Sequence, residues 1–191
     1  MSAGAESERP SSHLGGLPQP VSELPWSADF VMQSIEILPV ALGEGGVVSL
    51  RPDCADSFVI GWPAGRKPEE VAARAIENLG FRPVVLHSTS WRHAGAEVVL
   101  TYLAVVASDY VLPNSWETAP VTRARLARGD TTAPPAAIEA GQVLEHALRH
   151  LAWLHGEDEA VTRALPGWSD CLRAYSPEPF RALNAPDMQQ V

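Results

Sequence analysis

The sequence predicts a single α/β domain, and three observations support this fold class. Two candidate strands, over residues 83–91 and 97–107, flank a short link containing Gly95, which is the pattern of a long β-hairpin. An amphipathic helix is predicted over 68–79 and a longer one over 136–154. At 191 residues the chain can bury one full core and has little room for two.

Three further strands are predicted before the first helix, over 31–40, 47–51 and 57–62. The separators between them are rich in glycine, aspartate and proline, the residues that form turns. The strand over 97–107 is apolar at successive positions, so both of its faces should be covered. We therefore expect this strand to be central in the sheet.

The helix over 68–79 has a marked beginning and end. Pro68 suits the first helical turn, and Gly80 suits the left-handed residue that stops a helix. Its core-facing stripe is Val71, Ala72, Ala75, Ile76 and Leu79. Its other face carries Glu70, Arg74 and Glu77, and we expect Glu70 and Arg74 to form an ordinary i,i+4 pair in solvent.

Three parts are predicted along the chain. Residues 1–25 read as a disordered tail, 26–155 as the α/β domain, and 156–191 as a C-terminal helix and arm. The aromatic and aliphatic residues of the last part are Trp168, Leu172, Tyr175 and Phe180. They predict a short helix and an extended arm over 176–179 that dock on the domain or on a partner.

Composition excludes some classes of partner. A formal charge of −9 and a pI near 5.1 argue against nucleic acid and anionic membranes, because phosphate contacts need clustered cations. No export signal or membrane-length apolar run is evident. Cys54 and Cys171 have unrelated contexts, so reduced thiols are the simpler interpretation, with a disulfide left open. We expect a soluble cytoplasmic protein, and Lys67 as the only lysine suggests a high-GC bacterial genome.

The stretch from Trp62 to Phe81 resembles a Nudix box. In that family a Gly-led loop leads into a helix ending in Arg-Glu-apolar-x-Glu-Glu-x-Gly, whose glutamates hold magnesium for attack on a pyrophosphate. The resemblance extends over roughly 31–155 in the order of strands and helices. It implies an α/β/α sandwich with a mixed sheet, to which the C-terminal arm is an addition. A complete box would imply hydrolysis of a nucleoside diphosphate derivative.

The catalytic part of that box is missing here. With Arg74 matched to the arginine of the motif, the three metal-binding glutamates fall on Ala75, Asn78 and Leu79, and Gly80 comes one residue early. Magnesium needs convergent hard oxygen ligands. We therefore expect no cofactor and assign no catalytic residue or metal ligand.

The other place for chemistry is the polar strand that contains His87, Ser88, Thr89 and Ser90. Buried polar groups need partners, so one face of this strand should meet water or a ligand. Simple alternation places His87, Thr89 and Trp91 on one face and the two serines on the other. His87 then cannot easily act as base for its neighbour Ser88. The predicted ligand-binding residues are His87, Thr89, Trp91, Arg92 and Trp62; the alternative is an open face with solvated polar groups.

His146 and His150 are four residues apart on the last predicted helix, the spacing of two zinc ligands. The glutamate of the His-Glu-x-x-His motif is replaced by Ala147, and no third ligand is evident. A zinc site is therefore disfavoured, and both histidines are expected near the exposed face.

Three functions remain open from the sequence. The first is a non-catalytic Nudix-like module that binds a small, nucleotide-like polar ligand or a protein partner. The second is a magnesium-dependent pyrophosphohydrolase that uses displaced acids, namely Glu69, Glu70, Glu77 and Glu97. The third is a structural protein, such as a homodimer, whose polar strand and Trp153-bearing helix form an interface.

Overall fold

The computed structural model describes residues 32–95, 97–126 and 137–175. The strands in these ranges are β1 (Met32–Gly43), β2 (Gly46–Pro52), β3 (Phe58–Gly61), β4 (Pro83–Ala94), β5 (Glu97–Val106) and β6 (Trp116–Pro120). The helices are α1 (Pro68–Asn78), α2 (Ala140–Glu157), α3 (Glu159–Ala164) and α4 (Ser169–Leu172). The predicted tail over 1–25, the segment 127–136, the arm over 176–179 and Phe180 lie outside the described residues.

The strands form one mixed sheet in the order β4-β5-β1-β2-β6, with β3 also paired to β1. The pairing of β1 with β5 is parallel, and the other pairings are antiparallel. One edge of β1 is shared, because Ser34–Ile37 pair with β3 while Val40–Gly43 pair with β2. Strand β5 lies between β4 and β1 and is buried from Thr101 to Val106, so its predicted central place is confirmed.

Helices cover both faces of the sheet. On β1, Ile35 and Ile37 belong to a core cluster that includes Ile76 of α1, and we call this side the α1 face. Leu38 and Val40 belong to a second cluster that includes Leu148 of α2, and this side is the α2 face. Successive side chains of a strand point to opposite sides, so one strand feeds both cores. The predicted α/β class, with a mixed sheet between helices, is confirmed.

Helix α1 forms as predicted. It begins at Pro68, and Gly80 follows it with a φ of 82°. Ala72 and Ile76 are fully buried, as the stripe required. One detail differs, because Glu70 lies 3.4 Å from Lys67 in the preceding turn rather than pairing forward with Arg74.

Strand β6 was not predicted from the sequence. It is an edge strand that pairs with β2, and three of its five residues are exposed. A five-residue segment that ends in Pro120 and carries Glu117 and Thr118 lacks the apolar alternation that marks a strand. Its position depends on the partner strand rather than on its own residues.

The C-terminal part packs against the α2 face. Trp168, Leu172 and Tyr175 are each about 5% exposed and belong to the same cluster as α2. Cys54 and Cys171 are both free. Within the described ranges, no helix has the length and apolar character needed to cross a membrane.

Candidate functional site

A bulge in β4 changes which face its polar side chains occupy. His87 pairs with Leu103 and Ser88 with Tyr102, but the next pair is Ser90 with Thr101, which leaves Thr89 as an extra residue. An extra residue shifts the alternation of a strand by one position. Thr89 is itself buried, and its hydroxyl lies 3.4 Å from the carbonyl oxygen of Thr101.

The simple alternation predicted for this strand is therefore wrong. His87 lies opposite Leu103 of the α2-face cluster, so it points to that face. Beyond the bulge the even-numbered residues Ser90 and Arg92 take over the α2 face, and Trp91 lies opposite Leu100 on the α1 face. Trp91 is 65% exposed and contacts the ring of His93 edge-on, with 5.6 Å between ring centroids.

Arg92 is held in place by a buried acid, Glu36 of β1. Two guanidinium nitrogens donate to the two carboxylate oxygens, at 2.6 and 2.9 Å. The hydroxyl of Thr101 donates to Glu36 at 2.9 Å and accepts from Arg92 at 3.0 Å, and Ser57 donates to Glu36 at 3.0 Å. Bidentate arginine–carboxylate pairs of this kind fix the plane of the guanidinium as well as its position.

The ionisation of Glu36 follows from these contacts. Its side chain is 4% exposed, and burial by itself raises the pKa of a carboxyl group. Hydrogen bonds from Arg92, Thr101 and Ser57, and the charge of Arg92, outweigh that effect and hold the pKa of Glu36 below its ordinary value. The pair is thus fully ionised at neutral pH, with its two charges balanced against each other.

A cavity of about 190 Å³ lies beside this pair, between β4 and α2. It is lined by Ser90, Trp91, Arg92, Leu126, Ile138, Gln142, Val143 and His146. Trp91 also lines the cavity, because it lies between Ser90 and Arg92 in the chain, although the register of β4 places its side chain on the α1 face. The wall therefore combines aliphatic side chains with a small number of polar groups, as ligand sites commonly do.

The wall opposite β4 is fixed by a second buried acid, Glu145 of α2. Its carboxylate accepts from Arg123 at 2.7 and 2.9 Å, from Arg149 at 2.9 Å and from the backbone N–H of Ala124 at 3.2 Å. Arg123 also donates to the carbonyl oxygen of Ala174, and its guanidinium lies 4.5 Å from the ring centre of Tyr175. These contacts tie the segment that carries Leu126, the α2 helix and the C-terminal part together.

Gln142 supports the same wall through its amide. Its oxygen accepts from the N–H of Glu139 at 2.9 Å, and its nitrogen donates to the carbonyl oxygen of Arg125 at 3.2 Å. The residue before Leu126 is thereby attached to the first turn of α2.

Three imidazoles meet next to the cavity. The rings of His146 and His150 are 4.6 Å apart between centroids, and those of His87 and His150 are 6.2 Å apart. The two α2 histidines, which the sequence placed on or near the exposed face of the helix, are half-buried and meet His87 of β4. Burial lowers the pKa of His87, and burial together with the charges of His146 and His87 lowers the pKa of His150.

The structure does not bring all five predicted ligand-binding residues together. Arg92 and Trp91 line the cavity and His87 lies near it through His150, while Thr89 is the bulge residue. Trp62 packs in the α1-face cluster, and its indole N–H donates to the carbonyl oxygen of Arg66 at 2.7 Å. It is separated from Arg92 by the sheet.

The acids of α1 are directed to solvent. Glu69, Glu70 and Glu77 are exposed. Across the described ranges, no group of three or more histidine, cysteine, aspartate or glutamate side chains is placed to hold a metal ion.

Most of the residues that line the cavity could not be predicted from the sequence. Leu126, Ile138, Gln142 and Val143 carry no local signal, because they line the site only through tertiary packing. One signal was present in β1, where Glu36 interrupts the apolar run Ile35-Glu36-Ile37. A lone acid in a strand buried on both faces requires a cationic partner, and Arg92 is that partner.

No family model matches this chain, and no curated protein matches it. Among solved structures, it is similar to a MutT/nudix family protein from Enterococcus faecalis, with 10% identity and a TM-score of 0.49 over 81% of this chain and 71% of that chain. It is also similar to NrtR from Shewanella oneidensis, with 13% identity and a TM-score of 0.44 over 75% and 84% of the two chains.

A third similar structure is a candidate nudix hydrolase family member from Chromobacterium violaceum, with 18% identity and a TM-score of 0.39 over 78% and 95% of the two chains. At identities of 10–18% and TM-scores below 0.5, these three likenesses carry no conclusion about the family, activity or ligand of this chain.

Proposed function

We propose that this protein is a non-catalytic Nudix-like module that binds a small polar ligand in the cavity between β4 and α2. The observation that carries the proposal is the combination of an open cavity of about 190 Å³ with an arginine fixed at its wall by a buried carboxylate. Preformed pockets with apolar walls and a few oriented polar groups are the usual form of small-molecule sites.

The orientation of Arg92 supports binding rather than simple stability. A buried ion pair is weak evidence for stability, because desolvation of both charges offsets their attraction. Such a pair does fix the direction of the donors that it leaves free. Because Glu36 and Thr101 hold the guanidinium from the side of the sheet, its remaining N–H groups are available at the cavity wall.

The size of the cavity limits the ligand. An apolar protein cavity of roughly 150 Å³ holds one benzene molecule. A space of about 190 Å³ therefore accommodates a single ring with one or two substituents, and a whole dinucleotide would extend far into solvent. The expected ligand is a compact molecule, or one ring of a larger molecule such as a nucleotide.

The absence of turnover is part of the proposal and rests on the box helix. The positions matched to the metal-binding glutamates are Ala75, Asn78 and Leu79, none of which has a carboxylate. Glu69, Glu70 and Glu77 are exposed on α1, away from the cavity on the other face of the sheet. A magnesium ion bound through them would not contact a ligand beside Arg92.

The proposal is tested by a screen of ring-sized compounds and nucleotides, using thermal shift and ligand-observed NMR, with and without magnesium. Every hit is then assayed for phosphate release. We expect binding without turnover. Magnesium-dependent turnover that is lost in Glu77→Gln, in a protein that remains folded, would contradict the non-catalytic part of the proposal.

A cavity-filling variant locates the binding site. Val143 lines the cavity, so Val143→Phe should place its ring there and abolish binding. Val111 is 79% exposed and not part of the cavity wall, so Val111→Phe is the matched control and should bind normally. Unchanged binding in Val143→Phe would show that the ligand binds outside this cavity.

A further inference from the structure

We propose that the cavity selects an uncharged, ring-sized ligand with a hydrogen-bond acceptor at its edge, and that it rejects anions despite the arginine in its wall. This inference rests on the proposed function, because it specifies the ligand of the same site. It is carried by three features, which are the remaining donors of Arg92, the charge of Glu36 and the apolar part of the wall.

The donors of Arg92 can be counted. A guanidinium has five N–H groups. Nη1 donates to Glu36 and to Thr101, and Nη2 donates to Glu36, so three of the five are used. The other two N–H groups carry no bond to a described residue, and they lie in the plane that the carboxylate fixes. An acceptor such as a carbonyl oxygen or a ring nitrogen can take them.

The charge of Arg92 is already balanced. The Glu36 carboxylate lies 2.6 Å from the guanidinium and is almost fully buried, so it is not replaced by water or by a ligand. A carboxylate or phosphate bound to the free side of Arg92 would sit close to a second negative charge that is shielded poorly from it. The chain as a whole carries a formal charge of −9, which adds to this repulsion.

The aliphatic part of the wall disfavours ions of either sign. Leu126, Ile138 and Val143 present aliphatic groups to the cavity. A charged ligand would lose part of its hydration against these side chains, and burial of a charge against apolar groups is costly. A cation would gain nothing from Glu36, because Arg92 and Thr101 occupy its oxygens on this side.

The test uses three probes of the same shape that differ in charge, namely benzamide, benzoate and benzamidine. Affinities are measured by ligand-observed NMR on the full chain at pH 7, with Val143→Phe as the blocked reference. We expect benzamide to bind at least about tenfold more tightly than either charged probe. Benzoate binding as tightly as benzamide, or more tightly, would overturn the inference and leave the binding function standing.

Glu36→Gln then tests the cause of the selectivity. The amide keeps the shape of the carboxylate and removes its charge, so Arg92 becomes an uncompensated cation. We expect benzoate to gain about tenfold in affinity and to overtake benzamide. A folded Glu36→Gln protein that still prefers benzamide would overturn the inference; if this variant does not fold, the wild-type comparison decides alone.

The failure of this inference is distinct from failure of the proposed function. If none of the three probes binds the wild-type protein, the inferred ligand class is wrong. A different compound that binds and is excluded by Val143→Phe would still establish the cavity as a ligand site. If no compound shows binding that is sensitive to Val143→Phe, both are wrong.

Discussion

Replacement of Glu145 by glutamine should destabilise the protein in a way that depends on pH. The Glu145 side chain is fully buried and accepts hydrogen bonds from two arginines and one backbone N–H. Burial raises the pKa of this carboxyl group, but the bonds from Arg123, Arg149 and Ala124 outweigh it and lower the pKa from 4.5 to about 2. Glutamine keeps the shape and loses the charge.

The magnitude follows from the two pKa values. One pKa unit corresponds to about 1.4 kcal/mol, so the gap between 4.5 and about 2 is worth at most about 3 kcal/mol. Arg123 is 46% exposed, and solvent screens its part of the interaction, which reduces the expectation to about 2 kcal/mol. Because the folded-state pKa is the lower one, this stability is complete above pH 4.5 and is lost as the pH falls toward 2.

The assay is urea denaturation of the wild type and Glu145→Gln at several pH values between 7 and 3. We expect the variant to be less stable by about 2 kcal/mol at pH 7, with the difference shrinking below pH 4.5. Asp170→Asn is the control, since Asp170 and its partner Arg173 are more than three-quarters exposed, and it should change stability by less than about 0.5 kcal/mol. A difference that is absent at pH 7, or that stays constant with pH, would refute the reasoning.

Three further outcomes are expected. Val143→Phe should cost little in stability, because the cavity receives the added ring. Val105→Phe, in the packed core, should cost about 1–3 kcal/mol. Equal losses of stability for the two variants in urea denaturation would contradict the presence of open space at Val143. Gly80→Ala should destabilise the protein by about 1 kcal/mol, because the φ of Gly80 is 82°. Gly156→Ala should stabilise it by about 0.5–1 kcal/mol, because Gly156 lies within α2 and has open space around it. Thermal unfolding of both variants tests this, and an unchanged stability of Gly80→Ala would contradict the left-handed conformation of Gly80 at the end of α1. The lowered pKa of His150, caused first by burial, should appear in an NMR titration as a midpoint below 6.5. The stability gained by burying the neutral ring is then complete above pH 6.5 and is lost as the pH falls through the folded-state pKa. A midpoint at or above 6.5 would contradict the half-buried position of His150.

The features that could be predicted from the sequence are those determined by residues that are close together in the chain. Helix α1 carries its own start at Pro68, its own stop at Gly80 and its own apolar stripe, so nothing distant is needed to place it. Strand β5 is apolar on both sides, which is enough to make it central.

The features that could not be predicted depend on partners far along the chain. The bulge at Thr89 arises from the pairing of β4 with β5, which has one register up to Ser88 and another from Ser90 onward. The cavity forms where β4, α2 and the segment ending at Leu126 meet, and their distances in sequence give no pattern to detect. Strand β6 owes its extended form to β2.

The extra residue in β4 allows two residues at an odd spacing to share one face of the sheet. Because Thr89 has no partner of its own on β5, His87 and Arg92 both lie on the α2 face although they are five positions apart. Deletion of Thr89 would make the pairs Ser88–Tyr102 and Ser90–Thr101 consecutive, so every residue from Ser90 onward would keep its side and Arg92 would stay beside Glu36. A residue inserted between Ser90 and Arg92 would instead carry Arg92 to the other face, and Glu36 would remain as an unpaired buried charge. The strand should therefore tolerate the loss of one residue at the bulge but not a gain beyond it.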